Sequence, residues 1–137
     1  MSRTTKFAAM TAAALMTAAA GATALPPLED NPRIMHELVA GEVGYQIQKH
    51  CPTISPRYLR AISRLGKLKE YALSEGYTEE EMRALDGNEA AKAKRDALVA
   101  EYLFENGVVE GDPDSYCRLG LEEIEKNTLT GWLLRAN

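Results

Sequence analysis

Apolar residues recur along this chain at helical spacing. Met35, Val39, Val43 and Ile47 repeat every four positions, flanked by Ile34 and Leu38, which marks one face of an α-helix. Asn31-Pro32 supplies a cap and a first-turn proline for it. Cys51-Pro52 ends it, because the residue before a proline is pushed out of the helical region. Gly41 and Gly44 lie inside this stretch. Glycine costs about 1 kcal/mol against alanine inside a helix, so both are expected where another helix comes close. Ser55-Pro56 is expected to open a second helix, with Tyr58, Leu59, Ile62, Leu65, Leu68, Ala72 and Leu73 as its apolar stripe and Gly76 as its C-cap.

Thr78 followed by Glu81 reads as a capping box for a short helix carrying Met82 and Leu85. Asn88 caps a longer helix running through Glu105, with Ala90, Ala97, Leu98, Tyr102 and Phe104 as its apolar positions, and Asn106-Gly107 stops it. Asp112-Pro113 opens another, carrying Tyr116, Leu119, Gly120 and Ile124. A break or kink at residues 127–131 precedes Trp132, Leu133 and Leu134. No alternating apolar–polar run is long enough to predict a strand, and no long repeat is present. The expected fold is all-α: a compact four- to five-helix domain over residues 32–137, preceded by an extended leader at 25–31.

The first residues have a different pattern. Residues 1–6 carry Arg3 and Lys6 and no acid, Phe7 to Ala20 carries no charge, and Ala22-Thr23-Ala24 offers small residues for a cut before Leu25-Pro26-Pro27. This is the pattern of a cleavable secretory signal, with cleavage expected after Ala24 and a periplasmic destination. The uncharged stretch of 14 residues is short of the roughly 20 that span a bilayer. A stable membrane anchor is therefore not expected after cleavage. The absence of a cysteine at the cut and of an Arg-Arg pair indicates neither a lipoprotein signal nor the twin-arginine route.

Removing the signal changes the charge. The whole chain of 137 residues has a net charge of -4, and loss of Arg3 and Lys6 takes it to -6. An acidic chain, with pI near 5.3, lacks the positive field that nucleic acid requires. A single small domain also has a limited core, which raises the importance of Cys51 and Cys117. An even cysteine count in an exported chain reads as a disulfide. The closed loop would be worth about 4 kcal/mol in the chain-entropy account, tying the end of the first helix to the start of the helix at Asp112-Pro113. A redox role would want the Cys-x-x-Cys spacing, which is absent. As metal ligands, Cys51, Cys117, His36 and His50 fall at no recognised spacing. No metal and no cofactor are expected.

Arg57, Arg60, Arg64 and Lys67 form the clearest polar feature. Their steps of three, four and three place them on one helix face, continued by Tyr71. Such a face suits an anionic partner, or is solvated, or is paired internally with acids such as Glu79, Glu80 and Glu81. The acids at Glu110, Asp112 and Asp114 do not follow a calcium loop, since Pro113 breaks the alternation. Gly41-Glu42-Val43-Gly44 lacks the lysine of a phosphate loop. His36 and His50 lie in no nucleophile motif. No catalytic residue is therefore assigned, and an enzyme is not expected. Tyr45, Tyr58, Tyr71 and Tyr102 either rim a groove or form the shell of a small core.

Three segments together resemble a known family: Cys51-Pro52-Thr53-Ile54-Ser55-Pro56-Arg57, Leu73-Ser74-Glu75-Gly76-Tyr77-Thr78-Glu79-Glu80-Glu81, and Gly111-Asp112-Pro113-Asp114-Ser115-Tyr116-Cys117-Arg118-Leu119-Gly120. In this order they resemble small exported alphaproteobacterial (Rhodobacterales-type) proteins classed as a domain of unknown function, over roughly residues 32–135. The resemblance implies a periplasmic location and paired cysteines. It implies no activity and transfers no catalytic or binding residue. The expectation is a non-enzymatic interaction or accessory module whose partner is another envelope protein. The alternative is a small-ligand carrier with an apolar interhelical pocket lined by residues such as Leu65, Tyr102 and Trp132. An exposed apolar patch favours the first; a closed cavity of a few hundred Å³ favours the second.

Overall fold

The computed structural model describes residues 24–137. The secretory signal expected over residues 1–24 lies, apart from Ala24, outside the described residues. A short 3-10 turn at Leu28–Asp30 leads into α1, Pro32–His50. The Asn31 side chain accepts from the backbone N–H groups of Arg33 and Ile34, and Pro32 occupies the first turn, where its missing N–H costs nothing. After the Cys51-Pro52 break come β1, Ile54–Pro56, and α2, Tyr58–Glu75. The remaining helices are α3, Glu79–Asp86, α4, Glu89–Glu105, α5, Pro113–Lys126, and the one-turn α6, Leu129–Trp132. The chain ends in β2, Leu134–Ala136.

The helical stops and starts fall where the local chemistry puts them. Gly76 closes α2 at φ 104°, a left-handed conformation open to glycine. Thr78 and Glu81 complete a capping box on α3. Asn88 and Asp112 cap α4 and α5 through their side-chain oxygens. The fold is all-helical apart from one small ribbon, with six helices among the described residues.

That ribbon is where local reading fails. β1 pairs antiparallel with β2 in the register Ile54–Ala136, Ser55–Arg135, Pro56–Leu134. Ser55-Pro56 is thus extended and does not open α2, which starts at Tyr58 after an Arg57 with no side-chain cap. The pairing partner arrives almost 80 residues later, so nothing in the local sequence announces it. Proline tolerates this place because a two-stranded ribbon leaves one edge without a donor to satisfy. The leader at 25–31 is also not simply extended. It forms the 3-10 turn, buries Leu28 and Asn31, and accepts a hydrogen bond from Tyr77 Oη at the Pro26 carbonyl, 2.8 Å.

α1 is the central helix, in contact with β1, α2, α4, α5 and α6. Val43, Ile47, Cys51, Ile54, Val99, Tyr116, Leu119 and Leu134 form that core, drawn from α1, β1, α4, α5 and β2. A second cluster joins Leu28, Ile34, Ala72 and Tyr77, with Met82 and Leu85 of α3 against it. The Cys51–Cys117 disulfide is formed and ties the end of α1 to the first turns of α5. His50 ends α1 and stacks on Tyr116, ring centroids 4.5 Å apart.

Glycines mark two close contacts. Gly120 faces Ile47 and Ile54, with Ile47 Cγ2 2.6 Å from where a Cβ would stand. Gly131 seats α6 on the backbone of Glu123 and Ile124. Of the two glycines in α1, a Cβ at Gly44 would stand 3.8–4.0 Å from Thr130 of α6 and Leu134 of β2, whereas one at Gly41 would meet nothing within 4 Å.

α4 buries a different set of residues from the expected one. Ala91 and Val99 are its buried positions, while Ala90, Ala97 and Phe104 are exposed. Its apolar residues are spread around the helix, so periodicity singles out no face, and packing on α1 decides which positions turn inward.

Candidate functional site

α2 is built inside out. Its only buried residue is Ala72, yet it carries a clear apolar row. Leu59 is 84% exposed, Tyr58 71%, Ile62 66% and Leu65 59%, with Leu73 also exposed one end further on. At 100° per residue this row lies opposite Arg60, Arg64 and Lys67. The side that faces the rest of the molecule carries Arg60 and Arg64 together with Leu68, Tyr71 and Ala72, the last three packed against the second cluster.

The predicted basic face is therefore largely an attachment surface. Arg57 Nε donates to the Leu134 carbonyl at 2.9 Å, and Arg60 Nη1 donates to the Trp132 carbonyl at 3.0 Å. The Arg60 guanidinium also lies over the Trp132 ring, 4.9 Å from its centroid. Arg64 makes a two-pronged contact with Glu37 of α1, both bonds 2.6 Å. This pairing raises the Arg64 pKa above its ordinary value, the Glu37 hydrogen bond being the main cause. Lys67 is exposed and lines a depression with Asn127, Thr128 and Trp132. The internal partner is thus Glu37 rather than the glutamates of α3. Among those glutamates, Glu79 pairs with Lys69, which holds its carboxyl below the usual range.

The Glu37–Arg64 pair fixes α2 on α1. The Glu37 side chain is 6% exposed and the guanidinium 37%. Arg33 also approaches Glu37, but at 3.9 Å. Replacing Arg64 by methionine leaves a buried carboxylate with that distant cation alone. The expected loss is about 2 kcal/mol in urea unfolding. Replacing Glu37 by leucine in the same chain should recover most of it. Equal losses in the single and double variants would show that the pair is not what holds α2.

Glu123 is the other buried acid, and composition gave no sign of it among its neighbours Glu122 and Glu125. It lies on the buried face of α5 with Tyr116, Leu119 and Gly120. Its carboxyl accepts from the hydroxyls of Tyr102 and Thr128, joining α4, α5 and the cap of α6. Burial first, and the Glu123 contact second, push the Tyr102 hydroxyl up to about 12. Helical periodicity from Tyr116 and Leu119 would have placed Glu123 inward.

The predicted carrier pocket is not assembled. Tyr102 lines a cleft of about 470 Å³ between α1 and α4, with Met35, His36, Val39 and Leu98. Trp132 lies under Arg60, and Leu65 lines a separate depression against Leu68 and Met82. The α1–α4 cleft opens to solvent. His36 and His50 do not share a site: the first lies at this cleft, the second stacks on Tyr116. Among the described residues, no group of three or more His, Cys, Asp or Glu is placed to hold a metal ion. Among them, too, no helix is long and apolar enough to cross a membrane.

The most unusual surface is thus the outer side of α2, a row of large apolar side chains on a helix held from behind by arginines. No curated protein and no solved structure matches the chain. A family model does match, over residues 26–135. That match takes in every element from the 3-10 turn to the start of β2, and the chain belongs to the family of unknown function DUF5333.

Proposed function

We propose that this protein is an exported, periplasmic, non-enzymatic interaction module, and that it docks through the outward apolar row of α2. The observation that carries the reading is the exposure of Tyr58, Leu59, Ile62 and Leu65 in one row. Leaving Leu59, Ile62 and Leu65 in water forgoes about 1.5–3 kcal/mol of burial for each, while Arg57, Arg60 and Arg64 bond to the Leu134 and Trp132 carbonyls and to Glu37. Contiguous apolar exposure of this kind marks contact surfaces. Export is supported by the charge and apolar pattern of residues 1–24. It is in keeping with a disulfide, which persists in oxidising compartments. The α1–α4 cleft supports a second reading, carriage of a small ligand. Such a ligand would perturb resonances of His36 and Tyr102 and leave those of α2 unmoved.

A photo-crosslinking residue at the exposed Ser63, beside the row, tests the docking reading in cells. The expected result is one reproducible adduct, lost when Ile62 is replaced by aspartate, and absent when the probe sits at Lys126. Adducts that survive Ile62→Asp would overturn it.

A further inference from the structure

We infer that the cleft between α1 and α4 binds an organic cation, an amine carried on an apolar body. The inference rests on the small-ligand reading above and names the chemical class of the ligand. Its support is a recess behind the cleft, a buried carboxylate at their junction, and the sign of the charges at the mouth.

The cleft continues inward. Behind it lies a recess of about 200 Å³ with Ala40, Val43 and Leu129 as aliphatic walls. His36, Val39 and Tyr102 line both spaces and so mark their junction. An alkyl body entering past Met35 and Leu98 therefore meets apolar surface in the cleft and again in the recess.

Glu123 stands at that junction. Tyr102 lines both spaces, and its hydroxyl donates to the Glu123 carboxyl, which also accepts from Thr128. Glu123 is 4% exposed and lines the recess. Neither of its partners carries charge, since the Tyr102 hydroxyl, pushed up to about 12, stays protonated at neutral pH. Among the described residues no ion pair reaches Glu123. Buried carboxylates ordinarily have a cation beside them, and Glu37, the other buried acid, has Arg64. The fold supplies a positive charge to one of these acids and leaves the other, beside an open cleft, without one.

The mouth has the same sign. Glu29 lies on the 3-10 turn, and Glu101 and Glu105 lie one helical turn apart on α4, none of them in an ion pair among the described residues. Lys94 is the cation of the lining, and Asp30 takes it at 2.6 Å. The rim alone would be an ordinary solvated surface, and Glu123 is what gives it a direction. An anion is repelled along the whole path. A neutral apolar molecule leaves Glu123 as it was. A bare metal ion lacks ligands, because among the described residues no three acids, histidines or cysteines converge. An ammonium at the junction sits between the rim acids and Glu123, beside Tyr102, with its body in the recess.

Hexylamine, hexanol and hexanoate share one body and differ in charge at neutral pH. Each is titrated into the chain as recovered from cells and followed by NMR. Hexylamine should shift the His36 and Tyr102 resonances saturably and bind about tenfold tighter than hexanol. Hexanoate should give no saturable shift. Glu123→Gln should bring the amine to the level of the alcohol and leave hexanol binding unchanged. Glu101→Gln with Glu105→Gln, at exposed positions, should weaken the amine by about two- to threefold and flatten its salt dependence. If Glu123→Gln does not fold, this rim variant decides. Equal binding of amine and alcohol, or hexanoate binding as tightly as the amine, overturns the inference and leaves the carrier reading standing. A preference for the amine that survives both variants also overturns it. If none of the three probes moves His36 or Tyr102, the inference and the carrier reading both fall.

Discussion

Replacing Cys51 and Cys117 together by alanine should lower the unfolding free energy by about 4 kcal/mol. The bond joins residues 66 positions apart, so without it the unfolded chain regains a large closed loop. Domains of this size keep only about 5–15 kcal/mol in hand, so the loss is a large share of the total. The disulfide also acts at one point of the core. Cys51 is itself a core residue, packed with Val43, Ile47 and Ile54, and it is followed by the turn that starts β1. The measurement is equilibrium urea unfolding of the oxidised protein, the double variant and the reduced protein. The last two should agree. A difference from the oxidised protein below about 1 kcal/mol would mean that α1, α5 and the ribbon hold themselves together without the bond.

Gly131→Ala should cost more than about 3 kcal/mol, the upper part of the range for overpacking. A Cβ at this position would collide with the Glu123 carbonyl and stand 2.6 Å from the Ile124 nitrogen. These are backbone atoms of a long helix and cannot swing aside as a side chain can. α6 would have to lift from α5. That would disturb the Thr128–Glu123 contact, the Thr130 hydroxyl bonded to the Ala40 carbonyl at 3.0 Å, and Trp132 beneath Arg60. Gly41→Ala is the matched control. That glycine is inside α1 with nothing within 4 Å, so alanine there should stabilise by up to about 1 kcal/mol. Thermal or urea unfolding of the two variants should move in opposite directions. A Gly131→Ala protein as stable as the parent would show that α6 does not seat against α5 as described.

The link from these losses to the proposed docking runs through α2. Its inner side is held by carbonyls of Trp132 and Leu134 and by Glu37. The first two belong to the α6–β2 segment that Gly131 seats. A fault at Gly131 therefore reaches the exposed apolar row of α2 without touching any residue on it. Loss of the Glu37–Arg64 pair should act on the same helix from the other end of the contact.

Much of the helical layout was legible because its signals are local. Asn31-Pro32, the Thr78–Glu81 box, Asn88 and Asp112-Pro113 each begin a helix through side chains within three residues of the first turn. Gly76 ends one through a backbone conformation open to glycine. The cysteine pairing was legible too, because two cysteines allow one internal bond. The expected apolar stripe of α2 divides in the structure: Leu68 and Ala72 turn to the second cluster, whereas Tyr58, Leu59, Ile62, Leu65 and Leu73 are exposed. Which positions faced inward was not readable, since amphipathicity shows that a helix has two sides and the usual assumption buries the apolar one. Here Glu37, Trp132 and Leu134 supply hydrogen-bond acceptors and an aromatic face that receive the arginines.

By itself the sequence determined most of the helix starts and stops, the single disulfide and the acidic charge of the domain. Each depends on neighbouring residues or on composition. Only the tertiary structure decided that Ser55-Pro56 is a strand, that Glu37 is buried, and that Leu59, Ile62 and Leu65 face water. These outcomes depend on partners 27 to 80 positions away in most cases, brought together by the packing of α1 against α5, α6 and the ribbon. Burial is a property of what arrives opposite a residue, and a linear pattern does not specify what arrives.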